Sequence, residues 1–355
     1  MRHWSLILPF ACAAVLGASL LWPVGLALGT VCALALLGAV TAAVHHAEVI
    51  AHRVGEPYGT LVLALAVTTI EVALIVSVMV AGGADQAALA RDTIFSTLMI
   101  VANGVIGLCL VVGSLRHHEP AFRVPGAHAG FATLIAMSTL TLVLPTFTIS
   151  SEGPTYTPSQ LAFASVMALV LWLAFVFVQT VRHRDYFLPE THADDGDAHA
   201  APPSTAQAWA SSALLGVSLV AVVGLAKMLS PGIEAGLDAA GAPKAVLGVA
   251  IALLVLLPET VAAVRAAAAN RLQTSLNLGY GSALASIGLT IPAVAMASVW
   301  MGVPLLLGIG AKDLVLLVLT VAVSTITLAS GRTHVLQGVV HLVIFAAFLF
   351  LALVP

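Results

Sequence analysis

Long apolar stretches, separated by short polar joins, run along the chain from one end to the other. A helix needs about 20 mostly apolar residues to cross the ~30 Å hydrocarbon core of a bilayer. Eleven stretches meet that length, with proline or glycine at most of the joins. The pattern therefore predicts an all-α integral membrane protein with eleven transmembrane helices. Their approximate ranges are 5–21, 24–44, 60–81, 92–114, 128–145, 161–181, 209–229, 246–268, 277–299, 313–329 and 336–354.

The composition agrees with lipid as the main solvent of the chain. Of 355 residues, 60% are hydrophobic and only 8% are charged, and the mean hydropathy is +1.08. A soluble domain carries roughly 25% charged residues. The net charge of −3 gives no basis for a nucleic-acid partner. We therefore expect the bilayer as the main partner, and the oligomeric state stays open.

The distribution of basic residues predicts how the chain is oriented. Cytoplasmic loops of membrane proteins carry an excess of Lys and Arg. With the N-terminus in the cytoplasm and the C-terminus outside, nine basic residues fall on the cytoplasmic side and four on the other. The nine are Arg2, Arg53, Arg116, Arg123, Arg182, Arg184, Arg265, Arg271 and Arg332, and the four are Arg91, Lys227, Lys244 and Lys312.

A polar stretch over 182–208 divides the chain into two halves that resemble each other. The third predicted helix follows Gly55-Glu56-Pro57 and carries a lone carboxylate, Glu71. The eighth follows Gly241-Ala242-Pro243 and carries Glu259 at a similar depth. Because the two copies are five helices apart, the second enters the membrane from the opposite side. Inverted repeats with polar sites near the midplane are typical of secondary transporters.

Glu71 and Glu259 are the candidate exchange residues. Glu71 lies about 21 Å along the helix from Pro57, well inside the hydrocarbon core. Carboxylates at that depth are costly and usually face a cavity where they act on ions; the alternative is a protonated structural carboxyl. A buried carboxyl holds a proton when no cation is present, and an entering cation expels it. Competition for the same oxygens then gives antiport.

Further oxygen ligands are needed, because Ca²⁺ takes six to eight. Pro258 should free a main-chain carbonyl about one turn before Glu259. The hydroxyl groups near the glutamates have alternative roles, in bonding to their own backbone or in close helix packing. The candidate supporting residues are Thr68, Thr69, Ser96, Asn103, Pro258, Asn277, Ser282 and Ser286.

Four segments resemble one family over essentially the whole chain. They are GEPYGTLVLALAVTTIEVALI (55–75), DTIFSTLMIVANGVIGL (92–108), LPETVAAVRAAAANRLQTSLNLGYGSALASIGLTIP (257–292) and GRTHVLQGVVHLVIFAAFL (331–349). They are similar to the bacterial ChaA-type calcium/proton and sodium–potassium/proton antiporters of the calcium/cation antiporter superfamily. The resemblance implies one extra helix (1–22), two inverted five-helix repeats (23–185 and 209–355) and a cytoplasmic linker (186–208). It also implies a shared ion and proton site built around Glu71 and Glu259.

The sequence departs from the superfamily's calcium exchangers at three places. Those exchangers carry Gly-Asn before the glutamate, where this chain has Val67-Thr68 and Val255-Leu256, and a Gln where this chain has Ala285. The missing amides favour Na⁺ or K⁺ as additional cargo. We therefore predict a transporter, not an enzyme, in a bacterial plasma membrane. It needs no cofactor and exports Ca²⁺, with Na⁺ and K⁺ as further candidates, in exchange for H⁺ by alternating access.

Histidines cluster towards the predicted cytoplasmic face. Because imidazole changes charge near neutral pH, they suggest a sensor of pH or Ca²⁺, although solvated interfacial residues would give the same pattern. The regulatory candidates are His45, His46, His117, His118, Asp194, Asp195 and Asp197. The same histidines suggest a rival function, a membrane-bound di-metal oxygenase or desaturase. Such enzymes need several HxxxH or HxxHH clusters, which the sequence lacks, and the rival leaves both glutamates without a role.

Overall fold

The computed structural model describes residues 3–55, 58–188, 203–303 and 305–354. Within those ranges the backbone is helical apart from short joins and one isolated antiparallel bridge between Ala121 and Arg332. A helix satisfies its backbone hydrogen bonds within one segment, which is what a chain surrounded by lipid requires. The predicted all-α fold is confirmed.

The described part of the chain contains eleven helices that are long and apolar enough to cross a membrane, as predicted. We call them spans 1 to 11 in chain order. They are His3–Leu21, Leu26–Val54, Tyr58–Gly82, Leu89–His117, Val124–Phe147, Pro158–Arg182, Thr205–Ala239, Ala245–Ala268, Leu272–Met301, Ala311–Ala329 and Val335–Leu353.

Span 2 is longer than its hydrophobic pattern predicts. The apolar run weakens at residue 44, but the helix continues to Val54 and ends at Gly55, where φ is 76°. His52 and Arg53 occupy its last turn, where positive groups interact favourably with the helix dipole. His45, His46 and His52, expected at or near the membrane face, therefore lie within the helix.

Span 7 is also longer than predicted. It begins with a capping box, in which the Ser204 hydroxyl accepts from the Gln207 backbone nitrogen at 3.2 Å and the Gln207 side chain accepts from the Ser204 nitrogen at 2.9 Å. It continues to Ala239, so that Pro231, expected at a join, lies inside the helix. Hydropathy alone misses this extension because the added turns are polar.

Spans 1, 2, 3 and 7 form one compact unit. His46 of span 2 is fully buried there, with Nε2 2.8 Å from the Ser5 carbonyl oxygen of span 1 and Nδ1 3.2 Å from the Ser211 hydroxyl of span 7. The ring of His45 lies 4.9 Å from that of Trp4. A neutral imidazole, one nitrogen donating and the other accepting, thus joins three helices.

Spans 4, 5, 6, 8, 9, 10 and 11 form a second compact unit. Span 4 crosses span 11 where Gly107 meets Gly338, and one turn earlier Gly104 meets the ring of Phe345. A Cβ at Gly107 would lie 2.9 Å from the Cβ of His341, and one at Gly338 would lie 2.7 Å from the Val111 nitrogen. Small residues allow such close backbone approach in membrane helices. We call this contact the glycine crossing.

Span 8 packs along span 4 in the same direction. A Cβ at Gly248 would lie 2.8 Å from the Thr93 nitrogen, near the start of both helices. Near their ends, a Cβ at Gly113 would lie 3.6 Å from the Ala267 carbonyl oxygen. The two contacts fix which residues of span 4 lie level with each residue of span 8.

Replacing Gly248 with alanine should destabilise this helix pair. Alanine usually favours a helix by about 1 kcal/mol over glycine, but here the added methyl would press on the span 4 backbone. We expect Gly248→Ala to lower the melting temperature of the detergent-purified protein. The control is Gly216→Ala in span 7, because a Cβ there meets nothing within 4 Å. Equal melting temperatures for the two variants would contradict the close contact.

Candidate functional site

Glu71 is buried in span 3. Its exposed fraction is 3%, within the unit formed by spans 1, 2, 3 and 7. Thr68 lies three residues earlier, on the same helix face, and is 5% exposed. Thr69 is exposed, and its hydroxyl donates to the Leu65 carbonyl oxygen at 2.6 Å. Of the two predicted threonines, Thr68 therefore shares the buried face of Glu71, whereas Thr69 does not.

Glu259 lies in span 8, in the second unit, and is half-buried. The helix runs from Ala245 to Ala268 through Pro258, which directly precedes Glu259. Because proline has no N–H, the carbonyl of Leu254 loses its helical donor. The Thr260 hydroxyl bonds back to the Leu256 carbonyl oxygen at 2.7 Å. A main-chain oxygen without a helical donor thus lies about one turn before the carboxylate.

The middle of span 4 lies level with Glu259. Glu259 follows Gly248 by eleven residues, and Gly104 follows Thr93 by the same number. Since the two helices run in parallel between the contacts at their ends, equal counts reach about the same depth. Span 4 has a π-helical turn over Ile100–Val105 at this depth.

Span 9 has a second π-helical turn, over Ser286–Thr290. Each of these turns lies in the span that follows a glutamate-bearing span. π turns often mark functional sites because they insert a residue into the helix and redirect its neighbours. Spans 5 and 6 also contain one, over Thr139–Val143 and Val178–Arg182, so a π turn alone does not identify the site.

The three serines predicted as supporting ligands differ in their surroundings. Ser96 is buried in span 4, and its hydroxyl donates to the Asp92 carbonyl oxygen at 2.5 Å. Ser286 is buried at the start of the span 9 π turn, and Ser282 lies one turn earlier and is half-buried. A serine that donates to its own backbone still has lone pairs for a cation.

Asn103 does not have the freedom expected of an ion ligand. Its Nδ2 donates to the Thr320 hydroxyl of span 10 at 2.9 Å, and its Oδ1 lies 3.0 Å from Nδ1 of His341 in span 11. Both ends of the amide are therefore engaged between helices. These contacts agree with the helix-packing alternative, and the ligand role of Asn103 stays a prediction.

Asn277 likewise forms hydrogen bonds at both ends of its amide. It lies in the second turn of span 9, where its Nδ2 donates to the Phe187 carbonyl oxygen at 2.6 Å and its Oδ1 accepts from Gln273 at 2.8 Å. The Gln273 side chain also accepts from the Arg123 nitrogen at 2.7 Å. Asn277 therefore anchors the segment after span 6 to span 9, near one end of the helix and far from its middle.

Comparison with known proteins agrees with this architecture. The family model described as "Sodium/calcium exchanger protein" matches residues 24–181 and 210–354. The chain is 49% identical to a putative ionic transporter, y4hA, of Sinorhizobium fredii, over 99% of this chain and 96% of the relative. It is 34% identical to the sodium-potassium/proton antiporter ChaA of Escherichia coli, over 98% and 95%.

The chain belongs to the sodium/calcium exchanger family.

The solved structure of native YfkE has the same fold as this exchanger. It superposes with a TM-score of 0.73 at 18% identity, covering 99% of this chain and 100% of YfkE. The predictions of a calcium/cation antiporter fold and of an ion exchanger are confirmed. The rival oxygenase finds no support: among the described residues, no three His, Cys, Asp or Glu side chains group as a metal centre.

The regulatory candidates of the exchanger lie in different environments. His46 is buried between three helices, as described above, so the alternative of a solvated interfacial residue does not describe it. His117 contacts the Ala268 carbonyl oxygen at 3.0 Å through Nε2, and His118 is exposed. Asp194, Asp195 and Asp197 lie outside the described residues. The sensor hypothesis stays a prediction for the remaining histidines.

Sequence reasoning missed one buried histidine of the exchanger. His341 lies in the middle of span 11 and is 1% exposed. The signal was present, since an ionisable residue inside an apolar span suggests a functional position, as it did for Glu71. The partners of His341, by contrast, could only be found from the folded chain.

The anchoring role of Asn277 can be separated from ion binding. Asn277→Leu removes two hydrogen bonds, and leaving a buried partner unsatisfied costs about 1–3 kcal/mol. We expect a lower melting temperature with an unchanged half-saturating cation concentration in proteoliposomes. Thr325→Val, which removes an exposed hydroxyl bonded only to Val321 of its own helix, serves as the control. A higher half-saturating concentration without loss of stability would instead indicate a ligand.

Proposed function

We propose that this exchanger carries cations out of the cell in exchange for protons, and that Glu71 and Glu259 are its exchange residues. The observation that carries the proposal is the pair of lone carboxylates at matched positions in spans 3 and 8. The two separate matches of the family model, on either side of the linker, support the repeat in which those positions correspond. A transporter of this kind converts no substrate chemically.

The chemistry follows from the cost of an isolated charge in hydrocarbon. An ionised carboxylate is strongly disfavoured in a low-dielectric interior unless a positive charge accompanies it. Each glutamate is therefore stable in two states, protonated or bound to a cation, and the two states exclude each other. Alternating access to the two sides of the membrane converts this exclusion into coupled exchange.

Oxygen atoms near the glutamates complete the cation ligands in this proposal. Thr68 shares the buried face of Glu71, and the Leu254 carbonyl lies about one turn before Glu259. Ser96, Ser282 and Ser286 lie in spans 4 and 9, next along the chain after the glutamate-bearing spans. Carboxylate, hydroxyl and carbonyl oxygens are the ligands that hard cations such as Ca²⁺, Na⁺ and K⁺ prefer.

Calcium is proposed as one of several transported cations. The chain has Val67-Thr68 and Val255-Leu256 where dedicated calcium exchangers have Gly-Asn, and Ala285 where they have Gln. Replacing amide oxygens with aliphatic groups lowers the number of ligands, and Ca²⁺ requires the most. The sodium-potassium/proton antiporter named among the relatives supports monovalent transport.

The proposed orientation is N-terminus in the cytoplasm and C-terminus outside, in a bacterial plasma membrane. Spans 2, 4, 6 and 8 each end with an arginine in their last turn, namely Arg53, Arg116, Arg182 and Arg265. In a chain that crosses the membrane at every span, these four ends lie on one side. The excess of positive charge there favours the cytoplasmic side.

Neutralising either glutamate tests the central claim. Glu71→Gln and Glu259→Gln keep the side-chain shape but can neither bind a proton nor carry a negative charge. We expect both variants to reduce cation-dependent proton flux in proteoliposomes to the level of protein-free liposomes, with normal expression and melting temperature. Glu152→Gln, at an exposed position between spans 5 and 6, should keep full activity. Wild-type flux in either of the first two variants would remove the proposal.

The cation preference can be measured with the same preparation. Proteoliposomes loaded with a pH-sensitive dye are challenged separately with Ca²⁺, Na⁺ and K⁺ across a range of pH. We expect proton movement with Ca²⁺ and with at least one monovalent cation, because the amide ligands of dedicated calcium exchangers are missing. A response to Ca²⁺ alone would contradict this expectation.

A further inference from the structure

A buried network of polar side chains joins spans 4, 10 and 11. Asn103 donates to the Thr320 hydroxyl and accepts from Nδ1 of His341, and Nε2 of His341 lies 3.2 Å from the Thr327 hydroxyl. Thr320 in turn donates to the sulfur of Met99 at 3.6 Å. All four polar residues are at most 2% exposed. Water cannot bond these groups inside a membrane-embedded helix bundle, so each of them needs a partner within the protein.

The pattern of donors fixes the form of the imidazole. Because Nδ2 of Asn103 donates to Thr320, its Oδ1 faces His341 and can only accept. Nδ1 of His341 therefore carries a hydrogen, and Nε2 accepts from the Thr327 hydroxyl. The neutral ring uses both nitrogens, one on each neighbouring helix, and only the Nδ1 contact reaches the π turn of span 4.

The face of span 10 offers one more hydroxyl than the network uses. Ser324 lies between Thr320 and Thr327 at helical spacing and is 2% exposed. Its hydroxyl has no hydrogen-bond partner among the described residues. Ser324 thus provides a matched position, buried on the same face but outside the network.

The network connects the π turn of span 4 to spans 10 and 11. Asn103 lies inside that turn, and His341 lies at the glycine crossing, where its Cβ comes closest to Gly107. A π turn accommodates one residue more than an α-helical turn. If it relaxed to α-helix, the two ends of span 4 would rotate against each other by about 100°.

The same turn lies level with Glu259 of span 8, as the contacts at Gly248 and Gly113 establish. Eleven residues make about three helical turns, so Glu259 lies on the same face of span 8 as Gly248, the face that meets span 4. The form of the π turn therefore affects which atoms of span 4 lie beside the carboxylate. We propose that His341 is a positioning residue for cation binding: through Asn103 it maintains the π turn of span 4 beside Glu259. This inference rests on the proposed function of Glu259 and adds spans 10 and 11 to the elements that set cation affinity.

Two substitutions of His341 separate its two contacts. The amide nitrogen of asparagine lies near the place of Nδ1, so His341→Asn retains the donor to Asn103. The amide of glutamine reaches the place of Nε2, so His341→Gln retains only the contact with Thr327. Proton flux in proteoliposomes is measured against cation concentration, with the most effective cation of the wild type.

We expect His341→Gln to raise the half-saturating cation concentration about tenfold, as the loss of one buried hydrogen bond predicts. His341→Asn should stay within about twofold of the wild type, because the bond to Asn103 remains. Thr327→Val, a nearly isosteric change, leaves Nε2 of His341 without a partner and no longer holds the ring hydrogen on Nδ1, so it should shift the half-saturating concentration upwards. Ser324→Ala should leave it unchanged.

Three results would overturn the inference. They are wild-type behaviour of His341→Gln, an equal effect of His341→Asn and His341→Gln, and a fall in maximal rate without any change in half-saturating concentration. The melting temperature of each variant identifies loss of folding; if His341→Gln does not fold, Thr327→Val against Ser324→Ala decides. Failure of this inference is distinguishable from failure of the proposed function, because the proposed function fails only if the Glu71→Gln or Glu259→Gln variant retains flux.

Discussion

The absence of water from the hydrocarbon core is the constraint on which this structure depends. A polar group placed there must find its partner within the protein. The backbone does so by forming helices, and many hydroxyls do so by bonding the preceding turn, as Thr69, Ser138, Thr141 and Thr260 do. The two glutamates that we propose as the exchange residues differ from a hydroxyl because they can carry a full negative charge, which a hydrogen bond alone does not neutralise. Transport then follows from the same constraint, because a carboxylate at this depth needs a proton or a cation.

Close helix contacts position the glutamate of span 8. Gly248 brings span 8 against span 4, and the glycine crossing brings span 4 against span 11. Lipid provides no hydrophobic force between helices, so such contacts depend on van der Waals packing and on hydrogen bonds between helices. Span 4 takes part in both contacts and carries a π turn between them. An ion exchanger must change conformation. A π turn could contribute to such a change, because its backbone can form either π-helical or α-helical hydrogen bonds.

Much of the architecture could be predicted from the sequence, because hydropathy reports directly on the surrounding solvent. The eleven spans and the family follow from that pattern and from the segments around Glu71 and Glu259. The ends of spans 2 and 7 could not be predicted in this way, since their added turns contain His46, Glu48 or Asp238 and do not register as apolar.

The supporting residues were harder to predict for a related reason. Asn103 and Asn277 have the same amide, yet each is committed to partners far away in sequence. A polar residue in an apolar helix shows that a partner exists without showing which one. The role of His341 was missed because its partners on spans 4 and 10 become neighbours only after folding. The local sequence indicates how deep a residue lies in the membrane, but it does not indicate which residues its side chain will bond.

The network around Asn103 also bears on how the protein is made. Thr320 and His341 follow Asn103 by 217 and 238 residues. At roughly 5–20 residues per second of synthesis, span 4 is made roughly ten to fifty seconds before either partner exists. During that interval the Asn103 amide needs another partner, such as its own backbone, a neighbouring early span or the insertion machinery. The second unit is therefore complete only after span 11 has been made, and a chain that stops before span 11 leaves the π turn without the contact to His341.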